Sequence, residues 1–209
     1  MTKFLGVVSQ KGGVGKSVIS RSLACEFARN EWEVLIADMD TQQGTSTEWN
    51  GVRMGNGFEP NISVQQFPNV NRVLKFANQY DLVIFDGAPH STKQTKDIAE
   101  VCDFIVLPTG LSKDDQNPQI RLAHELVKSG IDIKKFGFVL NRIGGSESQL
   151  ASSKEYLSYT GYQILNGSIP EKDGYRYAID EGKALTETPY STLNQKADEV
   201  IQGIANRLQ

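Results

Sequence analysis

The chain is short of several things, and each shortage excludes something. Cysteine occurs only twice in 209 residues, at Cys25 and Cys102. Both lie in apolar settings without metal-ligand spacing, so they read as small core residues of a protein kept in a reducing cytoplasm. No stretch approaches the roughly 20 apolar residues that span a bilayer. Internal repeats and low-complexity tracts are absent as well. Positive charge is not in excess: the formal net charge is −3. The protein as a whole is therefore no basic nucleic-acid binder, and any DNA contact has to come from a local patch. What remains, 39% hydrophobic and 22% charged residues, is the balance of a soluble globular protein. One domain over residues 1–209 is expected, with a substantial core.

Short apolar runs punctuate the chain: 4–8, 34–37, 82–85, 104–107 and 136–140. They are continuous rather than alternating, as strands buried on both faces are. Helical patterns separate them, over about 17–29, 70–79, 92–101, 115–130 and 148–159. Strand and helix in alternation imply an α/β fold: a doubly wound, mostly parallel sheet with helices on both faces. Ligand chemistry then belongs at the carboxyl ends of the strands. The glycines of 51–57 read as a flexible surface loop.

The first apolar run leads into Gln10-Lys11-Gly12-Gly13-Val14-Gly15-Lys16-Ser17, and a helical pattern follows. Strand, glycine-rich loop and helix in that order cradle phosphate with backbone N–H groups and a helix N-terminus. Gly12, Gly13, Val14, Gly15, Lys16, Ser17 and Val18 are the expected nucleotide contacts. In such loops the lysine neutralises the β/γ-phosphates and the serine holds Mg²⁺, so ATP and Mg²⁺ are the expected cofactors. Gln10 stands where the usual first glycine would be, and Lys11 adds a second ammonium. That charge has no role toward phosphates of its own chain and is best used on a neighbouring subunit's nucleotide. Because the loop begins by residue 10, neither a signal peptide nor an N-terminal accessory domain is expected.

Two acids, Asp38 and Asp40, follow the second strand. At that sheet edge they fit a Mg²⁺ or water-orienting site, although aspartates that cap a helix show the same pattern. Asp86 closes the run Leu82–Phe85, where a carboxylate reaches Mg²⁺ through water. Asn141 ends the run 136–140 with an amide that has both a donor and an acceptor for an adenine edge.

Lys11 to Ser17 resembles the deviant Walker A motif of the ParA/MinD ATPases, in which the first lysine is the signature lysine. Ala37 to Gly44 resembles that family's switch I, with Thr41 in place of the usual proline. Asp86-Gly87-Ala88-Pro89 resembles switch II, with Gly87-Ala88 as a variant of the usual pair. The likeness extends from Lys3 to about Thr188 and is most specific at 10–17 and 37–44. It implies a catalytic set of Lys11, Lys16 and Asp40, the last orienting water. Metal would fall to Ser17 and Asp86, with Asp38 supporting its shell. Asn141 and Pro170 would contact the base, with Pro108-Thr109 and Glu171 near it, and Val18 replaces a threonine that reaches the α-phosphate.

The size resembles the short ParA proteins without an N-terminal DNA-binding domain. That likeness implies an ATP-bound homodimer on non-specific nucleoid DNA in the cytoplasm and a ParB-like centromere-binding adaptor. A DNA patch is expected at Lys172, Arg176 and Lys183, outside the nucleotide stations, with Lys154 a weaker addition. No membrane partner is expected, because the last helical stretch, Ala197–Leu208, has mixed charge and suits docking on the domain. The paired cysteines of nitrogenase-type iron proteins and the C-terminal tyrosine cluster of the superfamily's tyrosine kinases are missing. Positioning of a protein cargo is an alternative. So is a metabolic ligase similar to dethiobiotin synthetase, for which no substrate pocket can be located in the sequence.

Overall fold

The computed structural model describes residues 1–90 and 92–208. Its strands are β1 (Lys3–Val7), β2 (Val34–Asp38), β3 (Ser63–Gln66), β4 (Leu82–Asp86), β5 (Phe104–Thr109), β6 (Phe136–Ile143), β7 (Gln163–Ile164) and β8 (Ile169–Pro170). They form one sheet in the order β3-β2-β4-β1-β5-β6-β7, with β8 also on β6. Every pairing is parallel. The helices are α1 (Lys16–Arg29), α2 (Thr45–Gly55), α3 (Val70–Leu74), α4 (Thr92–Val101), α5 (Lys113–Lys128), α6 (Glu147–Ser158), α7 (Asp173–Asp180) and α8 (Ser191–Ala205).

The continuous apolar runs are explained by two cores. Leu5, Val7, Ile36, Leu82 and Ile84 face one of them, together with α1 and α8 residues. Their neighbours Leu35, Ala37, Val83 and Phe85 face the other, with residues of α4 and α5. Side chains alternate across a strand, so a strand covered on both faces has no polar position to show. Cys25 and Cys102 are buried with free thiols, one in each core. The last helix docks as expected, with Ala197, Val200, Ile201 and Ile204 all fully buried.

Register sets the site. Asp38 of β2 pairs with Asp86 of β4, and Val7 of β1 pairs with that same Asp86. The carboxyl ends of these three central strands are therefore level, and the loop after β1 starts beside both acids.

Two expectations need correction, and one strand was not foreseen. Residues 51–57 are largely the second half of α2 rather than a loop. Gly51 and Gly55 face open space, and the helix is held from its other side by Trp49 (4% exposed) and Arg53 (1% exposed). Tertiary anchoring here overrides glycine's weak helix propensity. The helix expected over 70–79 stops at Leu74, and a 3₁₀ turn follows at Ala77–Gln79. The edge strand β3, whose Ser63, Gln65 and Gln66 are exposed, has no apolar run to announce it.

Candidate nucleotide site

The loop between β1 and α1 depends on its glycines. Gly13 (φ 75°) and Gly15 (φ 89°) adopt left-handed conformations that favour glycine. At Gly15 a Cβ would also stand 1.9 Å from Asn141 Nδ2. Asn141 Nδ2 donates to the Val14 carbonyl at 2.7 Å, and Arg142 Nη1 donates to the Gly13 carbonyl at 2.7 Å. The end of β6 thus braces the loop from behind. One amide hydrogen of Asn141 is committed to this brace, which leaves its Oδ1 and second hydrogen for a base.

The loop, switch I and switch II enclose a cavity of about 370 Å³, lined by Gly12, Gly13, Gly15, Lys16, Ser17 and Val18 on one side. Asp40, Gln43, Thr45, Asp86, Gly87 and Pro89 face them. Lys16 is 8% exposed. Burial lowers its pKa, and Asp86 and Asp40 act against that shift. Ser17 Oγ lies 3.2 Å from Thr45 Oγ1 at the start of α2. Asp40 Oδ1 accepts from the N–H groups of Gln42 (3.2 Å) and Gln43 (3.1 Å), which fixes the turn around it. Gln94 ties the two switches together, accepting from Ala88 N and donating to the Met39 carbonyl.

Asp38 behaves differently from Asp40. Its Oδ1 accepts from Asp40 N at 3.1 Å, and its Oδ2 accepts from the Thr47 N–H and hydroxyl, each at 3.3 Å. It is buried and is not among the residues lining the cavity. The capping alternative describes its contacts: Asp38 fastens switch I to the first turn of α2 and lies behind the cavity wall rather than in it. Asp86 does face the cavity. Among the described residues its Oδ1 is a buried oxygen with no hydrogen-bond partner. Burial pushes its carboxyl up from the ordinary value, and the Ser46 and Ser17 hydroxyls act against that. A buried carboxylate oxygen without a partner calls for a cation. Among the described residues no three acids, histidines or cysteines converge to chelate a metal. The donors here suit a hard ion such as Mg²⁺, which completes its shell with phosphate oxygens and water.

Lys11 does not point into this cavity. Its ammonium pairs with Asp115 Oδ1 in the first turn of α5, where the Asp115 carboxylate also accepts from the Ser112 hydroxyl at 2.7 Å. Next to this pair lies a larger cavity of about 640 Å³ whose lining includes the polar side chains of Ser112, Gln116, Ser148, Ser152 and Tyr156.

Arg21 and Ser46 were not anticipated. Arg21 is one helical turn beyond Ser17 and lines the phosphate cavity. Its Nε donates to Ser46 Oγ at 3.1 Å, and Ser46 Oγ donates to Asp86 Oδ2 at 2.7 Å. Its guanidinium also lies over the Trp49 ring at 5.4 Å, and Arg53 lies over the same ring at 5.6 Å. The i, i+4 spacing from Ser17 was the one sequence signal for Arg21.

A second groove of about 290 Å³ continues from Gly15 and Val18 along Asn141, Ile169, Pro170 and Tyr175. Its apolar walls suit a base, and Pro170 and Asn141 both line it. Pro108 and Thr109 do not line it; the Pro108 carbonyl accepts from Gln119 Nε2 instead. Lys172 and Arg176 line it too, next to the residues expected at the base rather than apart from them. Arg176 is paired with Glu171 and Asp173, and Arg176, then Arg142, holds the Glu171 carboxyl below its ordinary value. Lys183 lies elsewhere, paired with Glu181 and 5.0 Å over the Phe58 ring. Glu171, Asp173 and Glu181, whose nearness in the sequence already pointed to an ordinary charged face, pair with Arg176 and Lys183.

A parallel sheet whose carboxyl edge carries this loop, two switch segments and a base groove defines a phosphate-binding-loop nucleotide-binding protein. Residues 5–185 match the CbiA model, the CobQ/CobB/MinD/ParA nucleotide binding domain, and the chain belongs to that family. No curated protein sequence matches it. Solved structures do. An Asp→Ala variant of McdA from Cyanothece in complex with ATP is 18% identical with a TM-score of 0.76, covering 98% of this chain and 96% of its own. The septum site-determining protein MinD of Pyrococcus horikoshii OT3, complexed with Mg-ADP, is 18% identical with a TM-score of 0.77 at the same coverage. A Borrelia burgdorferi B31 protein assigned to plasmid partition, bound to AMPPNP, is 16% identical with a TM-score of 0.74, covering 99% of this chain and 100% of its own. At these identities the likeness is one of fold.

Proposed function

We propose that this chain is a Mg²⁺-dependent ATPase of the partition type, alternating between an ATP-bound two-fold dimer and an ADP-bound or free monomer. The observation that carries the reading is the divergence of its two loop lysines. Lys16 is buried in the phosphate cavity, whereas Lys11 is 41% exposed at its side chain and turned toward Asp115 at the rim. A lysine at the rim is free to serve a nucleotide held by a second copy, in the manner of charges supplied in trans. Ser17 and Asp86 would hold Mg²⁺, which neutralises charge on the phosphates. Asp40, fixed through one carboxylate oxygen, has the other for orienting water. The site offers no strong general base, so unaided turnover falls far below the roughly 1–100 s⁻¹ of kinases.

Only ATP gives the γ-phosphate contact across the interface, so ATP and not ADP shifts the monomer–dimer equilibrium. For cargo we favour a DNA locus carried over non-specific DNA in the cytoplasm through a ParB-like adaptor. Two observations support this over a membrane role. No helix among the described residues is long and apolar enough to cross a membrane, and the apolar face of α8 is occupied by the core. Light scattering of Asp40→Ala with ATP should give a dimer that is lost on adding Lys11→Ala. A monomer at high protein concentration refutes the cycle. Gel shifts with unrelated duplexes at two salt concentrations test the DNA arm, which requires ATP-dependent binding that weakens steeply with salt.

One observation favours a second reading. The 640 Å³ cavity beside Lys11, with several hydroxyl and amide side chains in its lining, is the kind of pocket a ligase for a small carboxylate needs. Stimulation of ATP hydrolysis by a small carboxylate, with no DNA binding in any nucleotide state, would select that reading.

A further inference from the structure

We infer that Arg21 is a positioning residue for the metal side of the nucleotide site, acting through the Ser46 hydroxyl to fix which oxygen of Asp86 faces the cation. The inference rests on the Mg²⁺-nucleotide reading above and extends it to two residues that touch neither phosphate nor metal in that reading.

Donor and acceptor chemistry carries the argument. A guanidinium Nε–H can only donate, so the Ser46 oxygen that it meets at 3.1 Å must accept. Ser46 has one hydrogen, and with its oxygen committed to Arg21 that hydrogen goes to Asp86 Oδ2 at 2.7 Å. The carboxylate is thereby held by one edge. Its other oxygen, Oδ1, is buried without a partner and belongs to a residue that lines the cavity. A carboxylate without this relay can rotate and share its oxygens between Ser46 and the cavity; with it, a single oxygen is presented.

Every member of the relay is itself immobilised. Ser46 is fully buried in the first turn of α2, one residue beyond Thr45, which lies against Ser17. Arg21 is 5% exposed and held over Trp49. The Arg21 charge also compensates two buried acids that approach it, Asp86 and Asp38. The arrangement matches the outer shell of metal centres, where a hydrogen-bond partner of the ligand tunes metal affinity.

The test separates metal from nucleotide. Binding of a fluorescent ADP derivative is measured in EDTA and then across a Mg²⁺ titration, for the wild-type chain, Ser46→Ala and Arg21→Met. Methionine keeps a long side chain against Trp49, and alanine at 46 removes only a hydroxyl. For the wild type, Mg²⁺ should tighten nucleotide binding. Each variant should need about 10- to 100-fold more Mg²⁺ for the same tightening. Ser46 does not line the phosphate cavity, so Ser46→Ala should keep the wild-type nucleotide affinity in EDTA. Arg21 does line that cavity, so Arg21→Met is expected to lose some affinity there as well. Wild-type Mg²⁺ titrations for both variants would overturn the assignment and leave the nucleotide reading standing. An equal loss of affinity with and without Mg²⁺ in Ser46→Ala would also overturn it, because a structural defect has that signature. If the wild type itself shows no Mg²⁺ effect, the nucleotide reading fails and this inference fails with it. Ser46→Ala alone decides the matter if Arg21→Met does not fold.

Discussion

Asp115→Asn removes the charge that holds Lys11 and leaves almost everything else in place. Asparagine keeps the shape that packs on Gly110, where a Cβ would stand 2.4 Å from Asp115 Oδ2, and it can still accept from Ser112. The Lys11 and Asp115 side chains are 41% and 25% exposed, so the pair belongs with exposed ion pairs worth about 0.2–1 kcal/mol. Lys11 must leave Asp115 before it can reach a partner's nucleotide, and a two-fold dimer breaks two such pairs. Their combined cost of about 0.4–2 kcal/mol corresponds to roughly a 2- to 30-fold change in the dimer dissociation constant. Asp115→Asn, in an Asp40→Ala background with ATP, should therefore dimerise about 2- to 30-fold more tightly by sedimentation velocity. The gain should shrink at high salt, where exposed charges are screened. Burial pushes the Asp115 carboxyl up, but Lys11 and Ser112 outweigh it and hold it below its ordinary value. Its charge is then complete at neutral pH and lost only as pH falls through that lowered value, so the gain should be constant between about pH 6 and 8. Unchanged or weaker dimerisation of Asp115→Asn would refute the idea that this pair opposes assembly.

Other outcomes follow from the same geometry. Gly15→Ala combines a positive φ with a Cβ 1.9 Å from Asn141 Nδ2; it should abolish nucleotide binding in a fluorescence titration. Asp40→Ala should retain ATP but release phosphate far more slowly than wild type, and a wild-type rate would remove Asp40 from the water-orienting role. Arg53→Ala deletes a buried guanidinium bonded to the half-buried Glu187 at 2.8 Å and to the Gly182 carbonyl at 3.1 Å, while Glu187 keeps Arg29. It should cost about 3 kcal/mol, lowering the unfolding temperature by roughly 10 °C in calorimetry. Asp86→Asn should raise the unfolding temperature of the nucleotide-free protein while removing its response to Mg²⁺. The folded state raises this carboxyl's pKa by burial, so the ionised form costs stability above the ordinary carboxylate range.

The reach of the sequence differed from element to element. Strands β1, β2, β4, β5 and β6 were legible because burial on both faces leaves unbroken apolar runs. The phosphate loop was legible because its backbone demands glycine at 13 and 15. Helix α2 was not, since Trp49 and Arg53 stabilise it through contacts with residues more than 100 positions away, such as Lys183 and Glu187. The Arg21–Ser46–Asp86 relay joins three segments that no spacing rule connects. Asp38 and Asp40 looked alike in sequence because both follow β2, and only the folded turn separates a capping acid from one at the cavity. That Lys172 and Arg176 line the groove beside Asn141 and Pro170 was not legible, because a sequence does not show which side of a groove a charge lines.

Trp49 is one of two tryptophans in the chain, held between the guanidinium groups of Arg21 and Arg53 with its indole N–H bonded to the Lys183 carbonyl at 3.2 Å. The other, Trp32, lies just past the far end of α1 with its ring 5.0 Å from Phe27. An indole between two cations is an optical sensor, since its emission responds to small changes in the field across its faces. One of those cations belongs to the metal-side relay and the other fastens α2 to the segment beyond the base groove. In a Trp32→Phe background the remaining fluorescence would report rearrangement around Arg21 and Arg53 in real time and without a label.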